Sequence, residues 1–235
     1  MSNRDIWLNS HRTSKWDSDP TSGNPVRGEQ LDLLLSLVAD HYIHGSTILD
    51  IGSGSGLVEE QLFGRLPAAL VVGVDYSPLM IAMAEKRLAG KDKQFVTVRR
   101  DLCDIEGAKL PERKYQVAIS VQTIHNLPPE KQRNVMSWVY KILSTPGFFF
   151  LLDRVAVPGA ESFSCYQSVW NKQNSVYSAS IDEGRSFADH QRYLEQEGDS
   201  PLTLQENLKI LSESGFQASA LDARGNRALI ACVKP

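Results

Sequence analysis

The sequence predicts an α/β fold, a mostly parallel sheet covered by helices on both faces. Three observations carry this. From residue 48 to residue 153, short apolar runs alternate with amphipathic stretches in a strand–helix repeat. The runs are continuously apolar, as strands buried on both faces are, rather than alternating. Polar residues stand at or just beyond the ends of successive runs: Asp75, Asp101, Gln122, His125 and Asp153. Ligands of parallel sheets bind at those carboxyl ends, beside the switch in strand order, so polar residues there in register point to a site.

The elements follow in order. Residues 1–24 are a polar arm with Trp7, Arg12 and Trp16. Its indoles need somewhere to bury, so the arm either packs on the domain or closes over a ligand as a lid. Asn24-Pro25 reads as a cap followed by proline at the first helical position. Leu31, Leu34, Leu35, Val38 and Tyr42 share a helical face, and Gly45 ends that helix. Residues 48–51 form the first strand, which runs into glycines at 52, 54 and 56 and then a helix through Leu57, Leu62, Phe63 and Leu66. Residues 69–74 form the second strand, ending in Asp75. Ser77-Pro78 caps a helix with Met80, Ala84 and Leu88 on one face and Gly90 as its stop.

Residues 95–98 and 115–121 are the third and fourth strands. Pro128-Pro129 opens a helix carrying Val135, Val139 and Ile142, and Pro146-Gly147 turns the chain into a fifth strand at 148–152. Between 154 and 201 no strand is predicted. That length exceeds a simple connection and reads as functional or as a helical cap. Phe163, Tyr166 and Trp170 share a helical face there, with Tyr177, His190 and Tyr193 following; such a stripe serves either packing or ligand contact. A helix at 203–214 and two strands around a turn at 223–226 close the chain with an antiparallel hairpin. The whole of 1–235 reads as a single domain, with an arm and first helix at 1–44 and a cap-like insertion at 154–201.

Composition narrows the function classes. A net charge of −3 over 235 residues speaks against a duplex nucleic-acid binder. The three cysteines are far apart and match neither a disulfide framework nor a metal spacing, which fits a cytoplasmic chain with no metal. The N-terminus lacks a signal-peptide pattern, and the apolar run at 148–152 is too short to span a bilayer.

The glycine spacing selects the ligand. Dinucleotide sites need G-x-G-x-x-G, whereas the third glycine here, Gly56, comes one residue early. A phosphate-binding P-loop is excluded, because no Gly-Lys-Ser/Thr follows. The segment IleLeuAspIleGlySerGlySerGly at 48–56 resembles the first motif of class I S-adenosylmethionine-dependent methyltransferases. ValGlyValAspTyrSerProLeuMet at 72–80 resembles that family's second-strand acid and helix, and Asp101-Leu102 its third-strand acid. Residues 120–127 resemble the fourth-strand segment, where many small-molecule members carry a His-Leu pair. LeuSerThrProGly at 143–147 and the Gly215-Phe216 step also fit the family. The resemblance spans residues 45–153 and, more loosely, 203–235.

The resemblance implies a Rossmann-like doubly wound sheet and S-adenosyl-L-methionine as cofactor, with S-adenosyl-L-homocysteine as product. Asp75 would accept both ribose hydroxyls, Tyr76 would lie against the adenine, and Asp101 would take the adenine amine beside the Leu102 N–H. Asp50, Gly52, Ser53, Gly54 and Gly56 would hold the methionine end, with Met80 and Val121 completing the cofactor set. The expected activity is methyl transfer to a small metabolite, at oxygen or nitrogen, by in-line displacement. The donor is already activated, so the enzyme mainly orients the acceptor and excludes water.

His125, with Asp153, is the candidate base, since its pKa class suits neutral pH; the alternative is a packed histidine supporting its loop. Trp16, Gln122, Arg154, Tyr166, Trp170 and His190 are the candidate acceptor contacts, and Arg154 either binds an anionic substrate or pairs with Asp153. Two other readings stay open. One is a tRNA-modification enzyme similar to carboxy-S-adenosylmethionine synthase; the other is a non-catalytic S-adenosylmethionine-binding partner protein.

Overall fold

The computed structural model describes residues 5, 7–10, 13, 14, 17, 25–177 and 184–235. Seven strands form one sheet: β1 (Thr47–Ile51), β2 (Leu70–Asp75), β3 (Phe95–Arg99), β4 (Tyr115–Val121), β5 (Leu143–Arg154), β6 (Gln217–Arg224) and β7 (Arg227–Lys234). Their order is β3-β2-β1-β4-β5-β7-β6. Strands β1 to β5 are parallel, and β7 runs antiparallel between β5 and β6. The order reverses at β1, with β2 and β3 to one side and β4 to the other. The crevice that opens there is where open α/β sheets bind ligands.

Helices α1 (Pro25–His41), α2 (Leu57–Arg65) and α3 (Pro78–Arg87) cover one face of the sheet. There Leu34, Val38, Leu62 and Ala84 pack on Ile48, Val71, Val117 and Phe150. Helices α4 (Pro129–Ile142) and α7 (Leu204–Glu213) cover the other face, with Val135, Val139 and Leu211 packed on Leu49, Val72, Ala118 and Phe149. Neighbours such as Ile48 and Leu49, or Phe149 and Phe150, enter opposite cores, because successive strand side chains point to opposite faces. This is why the strand runs are apolar throughout.

Local chemistry sets the helix ends. The Ser77 side chain accepts from the Met80 N–H, with Pro78 in the first turn of α3. Thr203 and Glu206 form a reciprocal capping box on α7. Asn24, the expected cap of α1, lies outside the described residues. Helix α1 stops at His41, so Tyr42 packs against the core from one residue past its end.

Strand β5 begins at Leu143 rather than at 148. Leu143 pairs with Tyr115, and the register then shifts so that Phe148 pairs with Val117. The bulge takes up Pro146, which has no N–H to give a ladder. The insertion is helical, made of α5 (Phe163–Tyr177) and α6 (Phe187–Glu197). Its ends meet in a bridge between Ala156 and Thr203. It closes its own small core from Trp170, Phe187 and Val26 of α1, and the Tyr177 hydroxyl donates to Glu29 at 2.8 Å. Among the described residues no helix is long and apolar enough to cross a membrane.

Candidate functional site

A cavity of about 420 Å³ lies at the carboxyl ends of β1, β2 and β4. Its floor is the turn from β1 into α2. Gly52 takes φ 81° and Gly54 φ 57°, left-handed values that L side chains rarely adopt. Gly52 has a second constraint: a Cβ there would fall 2.2 Å from the Thr123 side chain. A Cβ on Gly54 would meet nothing closer than 4.0 Å, so its backbone faces open space.

Asp75 joins this turn to the next. One of its carboxylate oxygens accepts from the Gly54 N–H at 3.0 Å and the other from the Ser77 N–H at 2.8 Å. Burial pushes its pKa above the ordinary value, against the opposing pull of those N–H groups. Asp101 accepts from the Cys103 N–H at 2.9 Å and so starts the 3-10 turn Leu102–Gly107. Both acids cap a strand end and also line the cavity.

On the β4 side, Gln122 takes φ 52°, uncommon for a residue other than glycine. Its N–H donates to the Leu152 carbonyl at 2.8 Å, which holds the bend. Its side-chain Nε2 is buried on the cavity wall with no protein partner. An orphaned donor at a strained position marks a place where a ligand supplies the acceptor.

The sequence-predicted residues divide into three groups. Gly52, Ser53, Gly54, Asp75, Tyr76 and Met80 line the cavity, as do Asp101, Leu102, Val121 and Gln122. Asp50 and Gly56 lie behind the turn. His125, Asp153, Arg154, Tyr166, Trp170 and His190 are off the wall, and Trp16 is outside the described residues. Polar residues that the sequence reading did not select, Arg27, Asn126 and Ser200 among them, also line the cavity, as does Trp7 of the arm. Trp7 is fixed through its carbonyl, which accepts from the Ser77 hydroxyl at 2.6 Å. Arg87 braces the glycine turn by donating to the Ser55 carbonyl at 2.7 Å while pairing with Asp17 of the arm at 2.9 Å.

His125 sits behind the wall in a polar cluster. The 3-10 turn Ile124–Asn126 presents Asn126 to the cavity and His125 to the interior. The His125 Nδ1 meets an Asp153 oxygen, and its Nε2 lies 3.6 Å from Asp199. The other Asp153 oxygen accepts from the His125 N–H at 3.0 Å. Arg154 pairs with Asp199 at 3.7 Å rather than with Asp153, and its guanidinium is 3.4 Å from His190. His190 in turn meets the Asn226 amide at 3.4 Å. Gly198 and Ser200, on either side of Asp199, line the cavity. The Ser200 N–H donates to the His125 carbonyl at 2.8 Å, so the cluster holds the end of the cap against the site. Tyr166 and Trp170 lie in the cap's own core, where Tyr166 stacks on Phe187.

A methyltransferase-domain family profile matches residues 48–147, which span the glycine turn, both strand-end acids and β4. The profile, the relatives and the solved neighbours support a class I S-adenosylmethionine-dependent methyltransferase. It is 29% identical over 136 residues to a carboxy-S-adenosyl-L-methionine synthase of Chromohalobacter salexigens, covering 57% of this chain and 49% of the relative. It is 37% identical over 109 residues to a malonyl-[acyl-carrier protein] O-methyltransferase of Bacillus anthracis, covering 46% of this chain and 38% of the relative. These matches span at most about half the length of either relative.

The fold superposes on a Haemonchus contortus phosphoethanolamine N-methyltransferase solved with phosphomonomethylethanolamine and S-adenosylhomocysteine. The TM-score is 0.71 at 16% identity, covering 100% of this chain and 61% of that one. The residues present suit the family's cofactor, S-adenosylmethionine. The cavity has the size of a small-ligand site, a two-oxygen acceptor stands on its wall at Asp75, and the glycine turn leaves room for close approach.

Proposed function

We propose that this chain transfers a methyl group from S-adenosylmethionine to a small metabolite, at oxygen or nitrogen, and releases S-adenosylhomocysteine. One observation carries the reading. A single cavity joins strand-end acids suited to a nucleoside, Asp75 and Asp101, with a second polar region formed by Gln122, Asn126 and Arg27. When bound, S-adenosylmethionine supplies an activated methyl group on a sulfonium. Asp75 accepts its ribose hydroxyls; Tyr76, Asp101 and Leu102 surround the adenine; the glycine turn backs the methionine end. Met80 and Val121 provide apolar wall and exclude water.

The Gln122 amide orients the acceptor. Among the described residues, no histidine or lysine lines the cavity. An acceptor that brings its own lone pair, a carboxylate or a neutral amine, therefore suits the site better than an alcohol that must lose a proton. His125, Asp153, Arg154 and His190 act as positioning residues for the wall, and Tyr166 and Trp170 hold the cap. The three cysteines, free and apart, suit the cytosol.

Incubation with labelled donor and fractionated metabolite extract should yield one labelled small product with equimolar S-adenosylhomocysteine. Binding without release under any extract would sink the enzyme reading in favour of a binding partner.

The carboxy-S-adenosylmethionine synthase relative favours a second reading, in which the donor itself is the substrate. Arg27 would there take the added carboxylate, since it is the sole cation among the described lining residues. Mass spectrometry of the nucleoside product separates the two, and retardation of tRNA in a native gel tests the link to RNA modification.

A further inference from the structure

Asp50 and Glu59 form a polar pair sealed beneath the glycine turn. Asp50 is 1% exposed on β1 and Glu59 0% exposed in the first turn of α2. None of their four carboxyl oxygens has a well-aligned hydrogen-bond partner outside the pair, and the weaker pull of the Ile51 and Glu59 N–H groups does not offset burial. Their side chains meet each other. Two ionised carboxylates in contact do not persist away from water. A proton on Glu59, donated to Asp50, removes the repulsion and supplies the missing donor.

We infer that Glu59 is a further residue of the donor site: it shares a proton with Asp50, and binding of the ligand's ammonium group drives one proton from the pair into solvent. This rests on the S-adenosylmethionine reading of the cavity and extends it to a residue outside the family motif. Asp50 stands two residues before Gly52, whose turn backs the methionine end. The pair also feels the charge of Asp75 on the cavity wall.

Among the described residues, no ion pair joins a lysine or arginine to either acid. Its strand neighbours are Gly73 of β2 and Ile119 of β4. β2 adds the negative Asp75. From α3, Arg87 is committed to Ser55, Asp17 and Glu60. From α1, Arg27 lies on the cavity wall, and Gln30 donates to Asp222. Burial holds the Asp50 acid up at about 7 and pushes Glu59 well above its ordinary value, so at neutral pH the pair still holds its shared proton until a cation arrives.

The balance is simple. The protonated pair, the ligand and a buffer base become the ionised pair with its bound ammonium, plus the protonated buffer. No covalent bond other than O–H changes. An entering cation favours the ionised acid, so affinity rises with pH across the pair's titration, by at most about tenfold per unit for one proton. The proton belongs to the pair rather than to either residue.

The test is calorimetry with S-adenosylhomocysteine, which carries the ammonium and does not react. Titrations at about pH 6, 7 and 8, each in two buffers of unlike ionisation enthalpy, count the protons released. The wild type should release a proton on binding near pH 7 and bind more weakly at pH 6 than at pH 8. Glu59→Gln gives Asp50 a permanent donor, so it should release none. It should have a flat pH profile and bind several-fold more tightly than the wild type at pH 6. Infrared difference spectra of the wild type add a readout that needs no variant: the band of a protonated carboxyl should vanish on saturation with S-adenosylhomocysteine. Binding without proton release, an unchanged carboxyl band, or a Glu59→Gln profile that overlays the wild type would overturn the inference. No binding at all would overturn the cofactor reading instead.

Discussion

At the scale of single residues, the site turns on which atoms are already satisfied. The two Asp75 oxygens accept from Gly54 and Ser77, so this carboxylate holds the turn as well as facing a ligand. Asp75→Asn keeps the shape but turns one acceptor into a donor. It should weaken S-adenosylhomocysteine binding by at least tenfold, about 1.4 kcal/mol, while the chain still unfolds cooperatively in urea. Gly52→Ala should fail differently. Its Cβ would fall 2.2 Å from Thr123 at φ 81°, so urea unfolding should show a loss of about 2 kcal/mol or more.

His125 separates the two roles that a sequence leaves open. Removing it takes the imidazole from between the buried Asp153 and Asp199 carboxylates. His125→Ala should therefore cost about 3 kcal/mol of stability, with S-adenosylhomocysteine affinity within about twofold of wild type. A variant of native stability that loses only turnover would restore the base.

At the scale of elements, strand number, helix faces and the terminal hairpin were legible because each strand has a core on both sides. A two-sided strand writes itself as an unbroken apolar run. The start of β5 was not legible, since Leu143 is a strand residue only through its pairing with Tyr115 across the bulge. Nor was the facing of the turn at 124–126. Adjacent residues of a 3-10 turn point in different directions, and only the packed structure shows that Asn126 faces the cavity and His125 the interior. Arg27 was hidden in a helix read for its apolar face. Glu59 was hidden by convention, because an acid beside Glu60 in an amphipathic helix reads as solvated surface.

The cap was legible as helical, but its attachment was not. It is fastened by Asp199, whose carboxylate meets both His125 and Arg154 while Gly198 and Ser200 form cavity wall. Asp199→Asn should raise hydrogen exchange in the α6–α7 connection and leave S-adenosylhomocysteine affinity unchanged. Faster exchange spread evenly over the sheet would instead mean a general loss of stability.

At the scale of the whole molecule, the buried acids under the glycine turn link stability, pH and ligand. Folding raises the pKa of Asp50 to about 7, raises Glu59 further, and raises Asp75 as well, in each case chiefly by burial. Between about pH 4 and pH 7 the folded chain therefore holds protons that the unfolded chain has released. Stability from these groups is full below the ordinary carboxylate range and is lost as pH rises through about 7. The ligand acts in the opposite sense, since it binds the form from which the pair's proton has gone. In thermal melts without ligand, the wild-type midpoint should fall from pH 6 to pH 8 by more than that of Glu59→Gln, whose amide needs no proton. With a fixed excess of S-adenosylhomocysteine, the ligand-induced rise in midpoint should grow over the same interval in the wild type and stay level in the variant. Parallel curves for the two proteins, with and without ligand, would mean that the pair keeps its proton throughout. The cost of burying two acids beneath the glycine turn would then be met by the fold alone and not by the donor.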